Sequence, residues 1–137
     1  MADVTERSRT RVRRIGSLVA LLTVVVAGLA VHVLLPDTGA TDIAGDALYA
    51  VAVYAFLIAI MPGRYPPLVG AVALAWCVGI EVFQLTGIPL AAGTAFPPAM
   101  LVLGTVFDPR DLVVYATAIL VLTAADTALS RGRAKGT

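Results

Sequence analysis

The sequence predicts an all-α polytopic membrane protein, with about four transmembrane helices and a re-entrant or interfacial segment before the last. Three observations predict it. Of 137 residues, 59% are hydrophobic and only 14% are charged, where an ordinary soluble domain runs near one quarter charged. Four long apolar stretches recur between polar or Pro/Gly-rich breaks. The net charge of +1 hides an asymmetry, because most Lys and Arg lie at the two ends and most Asp in the middle. That pattern speaks of membrane topology and gives no sign of nucleic-acid binding. A spanning helix needs roughly 20 apolar residues, so four take about 80 positions and leave no room for a soluble catalytic domain.

The first stretch runs from Ile15 to Leu35, follows Arg7, Arg9, Arg11, Arg13 and Arg14, and stops at Pro36-Asp37. Gly28-Leu29-Ala30 fits a small-x-small cleavage pattern, yet the apolar run continues to Leu35, so the stretch reads as an uncleaved anchor rather than a secretory signal. The second, Ala47 to Met61, is short and takes Ile43 to Asp46 as its first turn. A tight turn at Pro62-Gly63-Arg64 leads to the third, Pro67 to Leu85. The fourth runs from Leu112 to Leu129. Residues 1–14 and 130–137 are then basic tails around a transmembrane helical domain at 15–129. Between the last two spans, Thr86 to Asp111 is apolar but broken by Pro89, Gly93, Pro97, Pro98 and Gly104. Irregular backbone at membrane depth must be satisfied by protein or by a wet cavity. Phe96 to Phe107 therefore reads as a re-entrant segment packed over the outer bundle ends, or as a loop in the headgroup layer.

Lys and Arg in short flanking loops stay in the cytoplasm. The N-terminal tail, the Arg64 turn and the C-terminal Arg131, Arg133 and Lys135 pass that test, while the other two loops hold Asp37, Asp42, Asp46, Asp108 and Asp111 against Arg110 alone. The expectation is a multi-pass protein of the cell membrane with both termini cytoplasmic.

An acid inside a span costs roughly 2.5 to 3.5 kcal/mol on insertion scales, so it has a partner or a function. Glu81 is the clearest case. Gln84 follows three positions later on the same face, and that face continues back through Cys77, Ala73 and Gly70 as a column of small side chains. Asp46 opens the second span with Tyr49 one turn later, and Asp111 opens the fourth with Tyr115 one turn later. Each acid alone reads as a helix cap. The topology nevertheless brings Asp46, Glu81, Gln84 and Asp111 to one outer end, where three carboxylates must share protons, bind a cation, or meet a cationic ligand group. His32 lies near that end and reads as a structural imidazole; Asp126 reads as an interfacial partner of Arg131 and Arg133. Trp76 and the single cysteine, Cys77, read as packing residues, and one cysteine excludes an intramolecular disulfide.

The chain has no Walker loop, HExxH, GxSxG or multi-His set. Ser17 and Ser130 lie at the inner boundary, far from the outer acids, so no serine nucleophile serves them.

Gly45-Asp46-Ala47-Leu48-Tyr49, then Glu81-Val82-Phe83-Gln84, then Leu103-Gly104-Thr105-Val106-Phe107, then Asp111-Leu112-Val113-Val114-Tyr115 occur in that order. The series resembles the bacterial membrane-protein family called domain of unknown function 2809, which is similar to the VanZ-like group. The resemblance covers about residues 15 to 128. It implies a helical protein of the bacterial inner membrane and cell envelope, with a shared set at Asp46, Glu81, Gln84 and Asp111, and it implies no established reaction. Relatives commonly carry an Arg before the LGxxF motif, whereas Ala92 to Ala99 holds no basic residue.

Function stays open among four classes. A pocket formed by Asp46, Glu81, Gln84, Asp111, Tyr49 and Tyr115 binds an envelope lipid headgroup or small cationic ligand; or the protein is a structural subunit beside a membrane-protein partner or in a homo-oligomer. A cation or proton pathway and a lipid-modifying enzyme using paired carboxylates are the weaker alternatives. No catalytic residue, no metal site and no cofactor is expected, and the expected partners include membrane lipids but no nucleic acid.

Overall fold

The structure, a computed structural model, describes the backbone of residues 2–135 and the side chains of residues 6–132. Among the described residues it forms six α-helices and no strand. Four helices are long and apolar enough to cross a membrane, and the protein is an all-α polytopic membrane protein. These are α1 (Ala2–Leu34), α2 (Gly39–Ile60), α3 (Pro66–Gln84) and α6 (Pro109–Lys135). Between α3 and α6 lie α4 (Ile88–Ala95), a 3-10 turn at Pro97–Ala99, and α5 (Met100–Leu103).

Helix starts follow local chemistry. Thr38 caps α2 in a reciprocal box: its hydroxyl accepts from the Thr41 N–H, and the Thr41 hydroxyl accepts from the Thr38 N–H at 2.9 Å. Asp46 therefore lies two turns inside α2, which corrects its reading as the residue that opens and caps the second span. Pro66 begins α3 and Pro109 begins α6, positions where the missing N–H costs nothing. At α6 the Asp108 carboxylate accepts from the Arg110 N–H at 2.8 Å, so Asp108 is the cap and Asp111 is the third residue of the helix. The basic stretch expected as a tail continues α1 without a break from Ala2.

Helices α2, α3 and α6 surround the core of Ala50, Tyr54, Val69, Ala73, Cys77, Tyr115 and Ile119. Lipid tails are as apolar as leucine, so helices associate in a membrane through close contact, and small residues permit it. The expected column on α3 is buried from Gly70 through Ala73, Cys77 and Glu81 to Gln84. A Cβ at Gly70 would overlap the Thr123 hydroxyl on α6. Helix α1 packs chiefly on α2, and Leu22, Val26, Val33 and Leu34 stay exposed on it.

At one end of the bundle, Arg13 of α1 donates to the carbonyls of Pro62 (2.9 Å) and Arg64 (2.6 Å) and pairs with Asp126 of α6. Tyr54 of α2 donates to the same carboxylate at 3.2 Å. Asp126 thus finds a partner 113 residues back in the chain, in Arg13, where the sequence suggested Arg131 and Arg133. The side chains of Arg133 and Lys135 lie outside the described residues.

Candidate functional site

At the opposite end the segment from Ile88 to Phe107 folds back over α3 and α2. Its longest helix has eight residues, as the Pro and Gly breaks require. Two span residues hold its irregular backbone. Tyr49 donates its hydroxyl to the Val102 carbonyl at 2.9 Å, and the Gln84 amide donates to the Leu103 carbonyl at 2.9 Å. The Trp76 indole N–H in turn donates to the Tyr49 oxygen at 3.0 Å. Half-exposed on α3, Trp76 fastens this network rather than filling the core. Gly104 follows with φ 64°, and a Cβ there would overlap the Gln84 amide. Glu81 completes the anchorage by accepting from the Asp108 N–H at 3.3 Å. The Val102 and Leu103 carbonyls of this irregular backbone are thus satisfied by side chains of the spans.

A cleft of about 900 Å³ lies between α1, α2, the segment at 98–108 and the start of α6. Asp46 and Tyr49 face it from α2, Asp111 and Tyr115 from α6, and Asp42, Asp108 and Arg110 stand at its polar end. The Asp46 carboxyl is within hydrogen-bonding reach of the Asp111 carboxyl. The Tyr49 and Tyr115 rings are tilted at 52° with centroids 6.0 Å apart. Arg110 is divided among acids, at 3.5 Å from Asp111, 3.7 Å from Asp108 and 3.9 Å from Asp42.

Of the six residues proposed from sequence, four line the cleft: Asp46, Tyr49, Asp111 and Tyr115. Glu81 lies fully buried behind that lining, beside Tyr115 and Asp111. Gln84 is turned to Leu103 and holds the segment instead of facing the cleft. His32 lines the α1 wall and joins no hydrogen bond to the acids. Several polar atoms are left without a hydrogen-bond partner although buried: Asp46 Oδ2, Glu81 Oε1, Gln84 Oε1 and Asp111 Oδ1. Among the described residues, no group of three or more His, Cys, Asp or Glu side chains is placed to hold a metal ion. Sequence reasoning missed Asp108 and Arg110 as site residues. The Asp-Pro step before a helical run is the signal that marks the cap at Asp108.

The family model described as "Protein of unknown function (DUF2809)" matches residues 35–119. The chain belongs to the DUF2809 family. The match runs from the start of α2 into α6 and so contains every carboxylate of the cleft from Asp37 to Asp111. It carries the family assignment alone and does not reach to the VanZ-like group. No curated protein and no solved structure matches the chain. Within this DUF2809 chain the quoted motifs acquire physical roles: GD and DLxxY supply two facing carboxylates, each with a tyrosine one turn on, while ExxQ and LGxxF join α3 to the folded-back segment.

Proposed function

We propose that the cleft binds an envelope lipid headgroup or a small cationic ligand. The carrying observation is a deficit of positive charge: Asp46 and Glu81 each keep a buried, unpartnered oxygen, Asp111 Oδ1 has only an ion pair at 3.5 Å, and among the described residues the one Lys or Arg at this end, Arg110, is shared with Asp42 and Asp108. Buried acceptors left unmade cost roughly 1 to 3 kcal/mol each, more for charged groups, and a cationic donor relieves that cost. The same reading places the protein in the bacterial inner membrane with both termini cytoplasmic, so that the cleft opens on the outer side.

A structural role beside another membrane protein is the second reading. Its support is that Glu81 and Gln84 spend hydrogen bonds on Asp108 and Leu103, which build the fold whatever the cleft holds.

Thermal unfolding in detergent separates the two, because a ligand that binds only the folded state raises its melting temperature. A panel of ammonium compounds, soluble and lipid-borne, should contain at least one that stabilises the wild type and not Asp46→Asn. Equal shifts in both proteins, or no shift with any compound, would leave the structural reading alone.

A further inference from the structure

The cleft is not only an acidic mouth. Its lining descends from Asp42 and Asp46 to Leu48 and Ala52 on α2, and from His32 to Val24 on α1, with Ile80 at the back. From Thr41 to Ala52 is eleven residues, about 16 Å of helix, close to half of a roughly 30 Å hydrocarbon core. Polar groups occupy the upper part, and apolar groups occupy the lower. A soluble cation would use only the upper part.

The walls leave a lateral entrance. Helix α1 packs chiefly on α2, and Val25 and Leu29, which line the cleft, remain 45% and 42% exposed. The main packing of α6 is with α2 and α3. A chain lying in the membrane can therefore enter between α1 and α6 without opening the core.

The upper part selects its head group. Two facing carboxylates and two tyrosine rings line one space, and aromatic faces beside acids are the chemistry that receives an ammonium ion. Behind them Glu81 is fully buried with Oε1 unpartnered. Its other oxygen accepts from the N–H of Asp108, which lines the cleft, so the carboxyl lies directly behind the lining. Unpartnered carboxylate oxygens call for hydrogen-bond donors. A primary ammonium supplies three; a quaternary one supplies none.

Resting on the cationic-ligand reading above, we propose that the occupant is a membrane amphiphile with a primary ammonium head group. The head group sits against Asp46 and Asp111 on the cleft side, and the hydrocarbon tail lies along the α1–α2 groove.

Trp76 is the single tryptophan of the chain and is bonded to Tyr49, so its emission reports on the head-group space. The test is a fluorescence titration of the full chain in maltoside micelles with decylammonium, below its own micelle threshold. Ethylammonium, decanol and decyltrimethylammonium serve as comparisons. Decylammonium should give a saturable change, with each comparison weaker by about tenfold or more, the scale of one charge-assisted hydrogen bond. Asp46→Asn should weaken decylammonium by about tenfold as well. Gly28→Leu tests the tail independently of the acids. Gly28 lines the groove and a Cβ there meets nothing within 4 Å, so leucine fills the tail path while a better helix former replaces glycine. That variant should keep or raise the melting temperature and lose decylammonium binding.

If ethylammonium saturates as readily as decylammonium and Gly28→Leu changes neither, the amphiphile proposal falls while the cationic site stands. If no ammonium compound gives a saturable change, both fall. Should Asp46→Asn fail to fold, Gly28→Leu decides the tail, and Asp111→Asn decides the head.

Discussion

Gly104 carries two separate constraints, and they can be measured apart. Its φ of 64° is a conformation other residues adopt at a cost, and a Cβ would also collide with the Gln84 amide that holds Leu103. Gly104→Ala should destabilise by about 1 to 3 kcal/mol, read as a lowered melting temperature in detergent. Gln84→Ala removes the colliding amide but also the bond to Leu103. In the double variant the collision disappears and the backbone strain stays, so its loss should be smaller than the sum of the two single losses. Additive losses would mean that Gly104 and Gln84 do not touch. Tyr49→Phe probes the neighbouring anchor: it leaves the Val102 carbonyl and the Trp76 N–H without their partner. A loss near 1 kcal/mol and a shift in Trp76 emission are expected. An unchanged spectrum would show that Trp76 does not report on this network.

At the scale of helices, Arg13 and Asp126 join elements that otherwise have little reason to meet. Their side chains are 19% and 15% exposed, and Arg13 also closes the α2–α3 turn through two carbonyls. Removing one member of a buried pair strands the other, at a cost of roughly 3 to 5 kcal/mol when burial is complete; residual exposure here brings the expected loss toward the lower end. Arg13→Ala should exceed Asp126→Asn, because it releases the turn as well. The two losses should be strongly non-additive in a double-variant cycle of thermal stability. Additivity would show that the pair does not form. The spans themselves were legible in the sequence because lipid solvation demands long apolar runs, and the column from Gly70 to Gln84 was legible from helical spacing. The start of α2 was not. Thr41, Asp42 and Asp46 look like loop residues, yet they continue the helix, with Thr38 capping it and all three facing the cleft. The partner of Asp126 was equally hidden, since 113 residues of separation leave no local pattern. Gln84 was recognised by its position in a span. Its role was missed, because a side-chain bond to a distant carbonyl marks the sequence only through Gly104.

For the whole molecule, the arrangement of charge predicts its orientation. The four spans put the start of α1, the end of α6 and the α2–α3 turn at the Arg13 end, and the cleft at the other. Nine of the ten basic residues belong to the Arg13 end, with Arg110 alone at the cleft end. Retention of Lys and Arg in the cytoplasm then predicts that this end faces inside. Three single-cysteine positions test this without altering any charge: Ala40, Gly63 and Gly132, all exposed. At Gly63 a Cβ makes only ordinary contact with Thr10, and at Gly132 it meets nothing within 4 Å. The native Cys77 is fully buried and can be replaced by alanine to remove any background. An impermeant maleimide applied to intact cells should label Ala40→Cys, and should reach Gly63→Cys and Gly132→Cys only after the membrane is opened. The reverse pattern overturns the orientation. It would also change the source of the proposed amphiphile, because a groove one leaflet deep draws from the leaflet on which the cleft opens: the outer one if position 40 is labelled from outside, the cytoplasmic one if it is not.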